Sequence, residues 1–156
     1  MEKKFSNISI DNITFRQATL NDIEEILQFD ILEETTLFTR TKLEDEISSN
    51  VNYCIVAIYG NVVIAYSSMS IMYDHADLLY ISVSKDFKRI GIAKKLIDIL
   101  VDRCKELKLE GMFLEVRESN ISAISLYIKC GFTKISERKN YYSLPDETAL
   151  ILKRKI

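Results

Sequence analysis

The stretch Leu79-Tyr80-Ile81-Ser82-Val83-Ser84-Lys85-Asp86-Phe87-Lys88-Arg89-Ile90-Gly91-Ile92-Ala93-Lys94 decides how the chain is read. It opens as a strand that, with Leu78, is apolar on successive positions and is expected to be buried on both faces. A short basic loop follows, and Ile92 starts a long amphipathic helix. That helix repeats Ile92, Leu96, Leu100, Cys104 and Leu107 at helical spacing and ends near Gly111. Gly91 and Ala93 at the turn are small enough to let another molecule approach the backbone. The unpaired N–H groups of a helix start, with the positive end of its macrodipole, make an anion site. Lys85, Lys88, Arg89, Lys94 and Lys95 surround it, against the single acid Asp86. The plainer reading of the same residues is a solvated charge cluster.

The local excess stands out because the whole chain is slightly acidic. Its 156 residues carry 21 Lys and Arg against 23 Asp and Glu, a net charge of −2, which argues against a general nucleic-acid binder. The length suits one domain over residues 1–156 with its own core, residues 1–11 forming a loose lead-in. No apolar run reaches the length of a membrane span, and no signal-peptide core follows Met1. Cys54, Cys104 and Cys130 have no metal-ligand spacing and fall in apolar patterns, so they read as core residues in a reducing, cytoplasmic setting. With His75 the only histidine, a His-based metal site or a Ser/His triad is disfavoured, and no metal is expected. His75 reads as a surface residue.

Working outward, Ile13 to Ala18 alternates as a strand. Thr19 or Asn21 can cap a helix from Asp22 to about Glu34, and Lys42 to Ser49 makes a second short one. Between them lie Leu37 and Phe38, apolar residues in a loop. Tyr53–Tyr59, Gly60-Asn61 and Val62–Met72 read as a hairpin, with a turn at 74–77 before the strand Leu78–Val83. After the long helix come a strand over Met112–Val116 and a short helix, Ile121 to Cys130, capped by Ser119 or Asn120 and closed by Gly131. Phe132–Glu137 and Tyr142–Leu152 make a last pair of strands linked through Arg138–Tyr141. The order β-α-α-β-β-β-α-β-α-β-β predicts an α/β fold of the α+β type. Its single mixed, mostly antiparallel sheet has six to seven strands, with helices on both faces.

Ile81-Ser82-Val83 followed by Lys88-Arg89-Ile90-Gly91-Ile92-Ala93 resembles the acetyl-CoA signature of the GNAT acetyltransferase superfamily, Gln/Arg-x-x-Gly-x-Gly/Ala after a strand. Leu114-Glu115-Val116-Arg117-Glu118-Ser119-Asn120, Ala123, Leu126-Tyr127, Gly131-Phe132 and Arg138-Lys139-Asn140-Tyr141-Tyr142 narrow the likeness. This succession is similar to N-terminal protein acetyltransferases of the ribosomal-protein-alanine branch and their archaeal relatives. The resemblance covers about residues 12–154 and is strongest after residue 77. Lys88 stands where the signature has Gln or Arg; it can neutralise phosphate but lacks the planar fork. The loop at Leu37-Phe38-Thr39 lacks the proline frequent in relatives.

The resemblance implies a GNAT fold and an acetyl-CoA-dependent N-acetyltransferase. Its acceptor would be a protein N-terminus, on a ribosomal protein or nascent chain, with the enzyme a monomer or weak homodimer and neither nucleic acid nor membrane as partner. It implies that backbone N–H groups from Arg89 through Lys94 hold the pyrophosphate, with Lys88 beside them. Ile81 and Val83, flanking Ser82, would pair with the pantetheine arm, and Asn120 would contact the same arm. It makes Glu115 the general base, expected to be partly buried within its apolar strand, and Tyr127 the general acid facing the thioester sulfur. Leu37, Phe38, Tyr141 and Tyr142 would hold the acceptor peptide. The bland alternatives are an outward strand glutamate, a core tyrosine, a helix cap at Asn120 and cross-strand packing of the tyrosine pair. Two other functions stay open: a GNAT acting on a small amine, polyamine or lysine, and a CoA-binding regulatory subunit without activity.

Overall fold

The structure, a computed structural model, describes residues 7–32 and 39–156. Among these residues it has seven strands and four α-helices: β1 (Ile13–Gln17), α1 (Ile23–Leu32), α2 (Arg40–Ser48), β2 (Asn52–Tyr59), β3 (Val62–Met72), β4 (His75–Val83), α3 (Ile92–Glu106), β5 (Gly111–Arg117), α4 (Ile121–Lys129), β6 (Thr133–Tyr142) and β7 (Glu147–Lys155). The strands form one sheet in the order β1-β2-β3-β4-β5-β7-β6. Strands β1 and β2, β5 and β7, and β6 and β7 pair antiparallel, whereas β4 and β5 pair parallel. The mixed, mostly antiparallel sheet is therefore the expected one. No described helix is long and apolar enough to cross a membrane.

Four local expectations are corrected. The turn before β4 is Tyr73-Asp74, and His75 to Asp77 already belong to the strand, paired with Gly111 to Phe113. Polar residues are tolerated there because Ala76, between them, supplies the buried contact. The second half of β4 is not buried on both faces; Leu79 is 41% exposed. Arg138–Tyr141 is not a linker but the end of β6, and residues 143–146 make the turn. Asn140 takes a left-handed φ of 53° there, within a register irregularity between Arg138 and Tyr142, so the strand survives by bulging. Finally, α3 stops at Glu106, and Leu107 is exposed while Leu109 is buried. Lys108 adopts φ 56°, which ends the helix just after Leu107 and sends Leu109 into the core instead.

The described chain gathers into two compact units, one of residues up to Ser68 with Tyr80–Leu96, the other of Met69–Leu79 with Ile97–Ile156. In the first, Ile23, Ile26 and Phe29 of α1 and Leu43 of α2 pack with Cys54, Val56, Val63 and Tyr66. The helical spacing of the α1 residues explains their common face. This core holds a polar knot. The Tyr66 hydroxyl donates to Glu46 Oε1 at 2.5 Å, and Asn52 Nδ2 donates to the Glu46 carbonyl at 3.1 Å. Burial pushes the Cys54 thiol up to about 11, so it packs as a neutral side chain. Asp22, at the entry to α1, accepts from Arg16 Nη1 and Nη2, each at 2.8 Å, and from the Thr19 N–H at 2.7 Å. In the second unit Leu100 and Cys104 of α3 are buried, as are Met69, Met112, Leu114 and Phe132. Cys104 Sγ lies 3.8 Å from Met69 Sδ, and burial pushes that thiol up to about 11.

The Arg16 guanidinium, ahead of the opposing effect of burial, holds the Asp22 carboxyl below the usual carboxylate range. A depressed native pKa means that the stabilisation is present above the unfolded-state value of about 3.9 and is lost as pH falls through the native one. Asp22→Asn is therefore expected to lower unfolding free energy by about 1–2 kcal/mol at pH 7. Chemical denaturation at several pH values checks this: the gap to the parent should close below about pH 4.

Candidate active site

The basic loop is built in the first unit. Ser84 N–H donates to the Ile64 carbonyl at 2.8 Å, and Phe87 closes a 3-10 turn onto Ser84 at 2.9 Å. Phe87 is buried, with its ring 5.5 Å from that of Tyr59, which anchors the loop from below. Arg89 and Gly91 take φ 66° and 93°. Left-handed residues of this kind turn successive amides to one side, as in backbone anion nests. A Cβ on Gly91 would meet Ile10 Cδ1 at 3.6 Å, so it is the positive φ, rather than a clash, that calls for glycine. Lys95 N–H then bonds the Gly91 carbonyl at 3.0 Å and starts α3, which has no acid in its first turn. The amides of Ile92, Ala93 and Lys94 precede the first helical bond, so the loop presents main-chain donors and basic side chains together. Strand β4, which carries Ile81, Ser82 and Val83, leads directly into it, and these residues are half-buried.

The other expected residues lie in the second unit. Strand β5 alternates: Met112, Leu114 and Val116 are buried, so Phe113, Glu115 and Arg117 turn to the opposite face. Glu115 is consequently on the open face, with its side chain 34% exposed. Its Oε1 lies 3.4 Å from Arg138 Nη1, and the carboxylate beside the Tyr141 phenol raises that phenol above its ordinary value. The Arg138 guanidinium stands 5.3 Å over the Tyr141 ring, and the rings of Tyr141 and Tyr142 meet edge to face at 5.2 Å. The cross-strand tyrosine pair is thus real, and it also touches the carboxylate.

Tyr127 hangs from α4 and is 8% exposed. Both ends of that short helix are fastened. Asn120 Oδ1 accepts from Ala123 N–H at 3.2 Å, and Arg154 Nη1 donates to the Cys130 carbonyl at 2.5 Å. Gly131, at φ 87°, turns the chain so that Phe132 N–H bonds the Tyr127 carbonyl at 3.0 Å and its ring meets the Tyr127 ring edge-on. Desolvation first, then Cys130 and Tyr142, push the Tyr127 phenol up to about 12. Burial and the charge of Glu115 raise the Tyr142 phenol as well. Glu115, Tyr141 and Tyr142 therefore stand together, and the charge of Tyr142 reaches Tyr127. Asn120 is occupied as a cap through Oδ1. Leu37 and Phe38 lie outside the described residues.

Sequence reasoning singles out neither Arg117 nor Glu147, which join this constellation. The Arg117 guanidinium lies 4.3 Å over the Tyr142 ring and 3.2 Å from Glu147 Oε2. The partners of that ion pair are thirty positions apart and on different strands, so neither periodicity nor a local motif signals them.

Known proteins resemble this chain in sequence and in architecture. The "[Ribosomal protein bS18]-alanine N-acetyltransferase" of Haemophilus ducreyi is 38% identical over 93 residues, 58% of this chain. The match spans 64% of that relative's length, just under two thirds. The crystal structure of Ard1 from Thermoplasma volcanium superposes with a TM-score of 0.84 at 26% identity, covering 93% of this chain and 98% of that one. The ribosomal-protein-S18-alanine N-acetyltransferase of Escherichia coli superposes with a TM-score of 0.85, covering 92% and 94%; at 24% identity it supports the fold alone. The family model described as "Acetyltransferase (GNAT) family" matches residues 20–132. That is well over half of the sequence, and the chain belongs to the acetyltransferase (GNAT) family.

Proposed function

We propose that this chain transfers the acetyl group of acetyl-CoA to the α-amino group of a protein N-terminus, a ribosomal protein in the cytoplasm being the candidate acceptor. The observation that carries the reading is the exposed Glu115 carboxylate, touched by Arg138 and Tyr141, in a constellation that includes the buried Tyr127 phenol. The names of the relatives support it.

In this reading Glu115 takes a proton from the acceptor ammonium, directly or through one water. The freed amine attacks the thioester carbonyl, and a backbone N–H near Val83 meets the oxyanion. The carbon–sulfur bond then breaks with Tyr127 stabilising the departing thiolate. The extra proton left on the nitrogen passes to that thiolate or to water, giving the amide and CoA. An α-ammonium has a reference pKa of about 7.7–8.0, so deprotonating it at pH 7 costs about 1 kcal/mol; a lysine side chain costs about 4–5. An exposed carboxylate suffices for the first and is a poor match for the second. With its phenol pushed up to about 12, Tyr127 stays protonated across the working range. A thiol-like leaving group of pKa about 8.5 does not take a proton from so weak an acid before the bond breaks. The role of Tyr127 is therefore a hydrogen bond that strengthens as negative charge develops on sulfur.

On the co-substrate side, the left-handed turns at Arg89 and Gly91 and the first amides of α3 suit the pyrophosphate. Lys88 and Lys94 add charge. Strand β4 runs on to Val83 after its last β5 pair, at Asp77, which supports pairing of Ile81 and Val83 with the amide-rich pantetheine. Asn120 keeps its Nδ2 group for the same arm while Oδ1 caps α4. Tyr141 and Tyr142 grip the acceptor backbone, with Leu37 and Phe38 proposed to face its first residue.

Three outcomes are expected. Glu115→Gln should lower kcat by about 10²-fold or more, and Tyr127→Phe by roughly tenfold to a hundredfold, with acetyl-CoA saturating. Steady-state kinetics check both, and near-normal rates in the two variants would remove the role assignment. The parent rate should rise as the acceptor amine deprotonates near pH 8 and show no fall from Tyr127 up to about pH 10, as stopped-time assays across pH would reveal. Peptides blocked at the N-terminus should lose acetylation whether or not they contain lysine, read by mass spectrometry. Transfer that survives blocking would instead point to a lysine acceptor.

A further inference from the structure

Beyond the residues that would touch the reactants, Glu147 occupies a position that joins both sides of the second-unit constellation. It begins β7 opposite Tyr142, with its side chain 11% exposed. Oε1 accepts the Ser119 N–H at 2.7 Å, at the turn that enters α4 one residue before the cap Asn120. Oε2 lies 3.2 Å from Arg117 Nη1, and that guanidinium covers the Tyr142 ring at 4.3 Å and reaches the Pro145 carbonyl at 3.5 Å. The Ser119 hydroxyl first, then the Ser119 amide and, against the opposing effect of burial, Arg117, hold the carboxyl below its ordinary range, so it is ionised while it makes both contacts. A neighbouring ladder bond, Glu118 N–H to the Thr148 carbonyl at 3.1 Å, fixes the same corner through the main chain.

We propose that Glu147 is a positioning residue with two separable arms, one setting the entry to α4 and its cap Asn120, the other setting Tyr142 through Arg117. The proposal rests on the acetyltransferase reading for what each arm serves: acetyl-CoA on the Ser119 side and the acceptor peptide on the Tyr142 side. Chemistry makes the arms separable. In Glu147→Gln the amide oxygen can still accept from Ser119, but the amide nitrogen faces a guanidinium that has only donors. Glu147→Ala removes both arms, and Arg117→Gln removes the Tyr142 arm alone.

The test combines kinetics with amide hydrogen exchange on the full chain. For Glu147→Gln and Arg117→Gln, the KM for the acceptor peptide should rise by about tenfold with the KM for acetyl-CoA within about twofold of the parent. Exchange should quicken over residues 141–146 and stay unchanged over 119–123. For Glu147→Ala, both KM values should rise and both segments should exchange faster. Equal loss on both sides in the Gln variants, or one-sided loss in the Ala variant, overturns the two-arm assignment. If Glu147→Ala does not fold, the one-sided pattern of the two Gln variants decides. Should the parent acetylate no peptide, the function reading fails, whereas the exchange pattern alone still decides the role of Glu147.

Discussion

Strand β5 can keep only one of its faces dry, and the second unit is arranged around that choice. Met112, Leu114 and Val116 are buried, which leaves Glu115 and Arg117 no option but the other side. Seven consecutive pairs with β7, from Gly111↔Lys155 to Arg117↔Ala149, lock the register. A slip of one residue would drive Glu115 into the core and expose the apolar set, because the side-chain period of a strand is two. Burying a carboxylate without a partner costs several kcal/mol, so the alternative register is strongly disfavoured. The same ladder carries the order outward: Ala149, opposite Arg117, also stands opposite Arg138 on β6. The groups around the carboxylate thus inherit their positions from apolar residues that never meet a reactant.

Helix α4 solves a different problem with only nine residues, too few to be stable as an isolated helix. Its side-chain cap, its closing glycine turn and the Arg154 bond to the Cys130 carbonyl satisfy main-chain groups at both ends. The cation at the C-terminal end also matches the negative end of the macrodipole. The result is a phenol whose ring is fixed by Phe132 and whose carbonyl is held by the following backbone. In the role proposed for Tyr127, such rigidity helps, since little ordering remains to be done when charge appears.

Much of this was legible in the residues, and the failures share a cause. The 3.6-residue stripe of α3, the Gly60-Asn61 hairpin and the Asn120 and Gly131 ends of α4 are local signals, and the structure has them. Glu115 was legible as a residue to watch, but its exposure depends on which face of β5 is covered, and Phe113 blurs the alternation by being apolar on the open side. Arg138–Tyr141 is polar enough to resemble a link; the partner strand β7 keeps it in the sheet despite the bulge. His75 and Asp77 resemble turn residues for the same reason and are held by pairing with β5. Glu147 had no sequence signal, because its meaning lies in Ser119 and Arg117, which only the sheet brings to it.

The basic loop shows how local geometry and charge divide the work. Lys85, Lys88, Arg89, Lys94 and Lys95 are exposed, and attraction from exposed side chains fades over about 8 Å at physiological salt. They can raise the local concentration of a polyanion and guide its approach, at a rate that salt would reduce. Fixing the anion is a task for groups at contact distance. The left-handed residues Arg89 and Gly91 and the first-turn amides of α3 suit this without depending on side-chain identity. Under the proposed acetyl-CoA reading, a lysine at 88 in place of Gln or Arg would lose one forked contact and leave the main-chain donors in place. The residue that the loop cannot exchange is Gly91, whose φ of 93° an L side chain adopts only with strain.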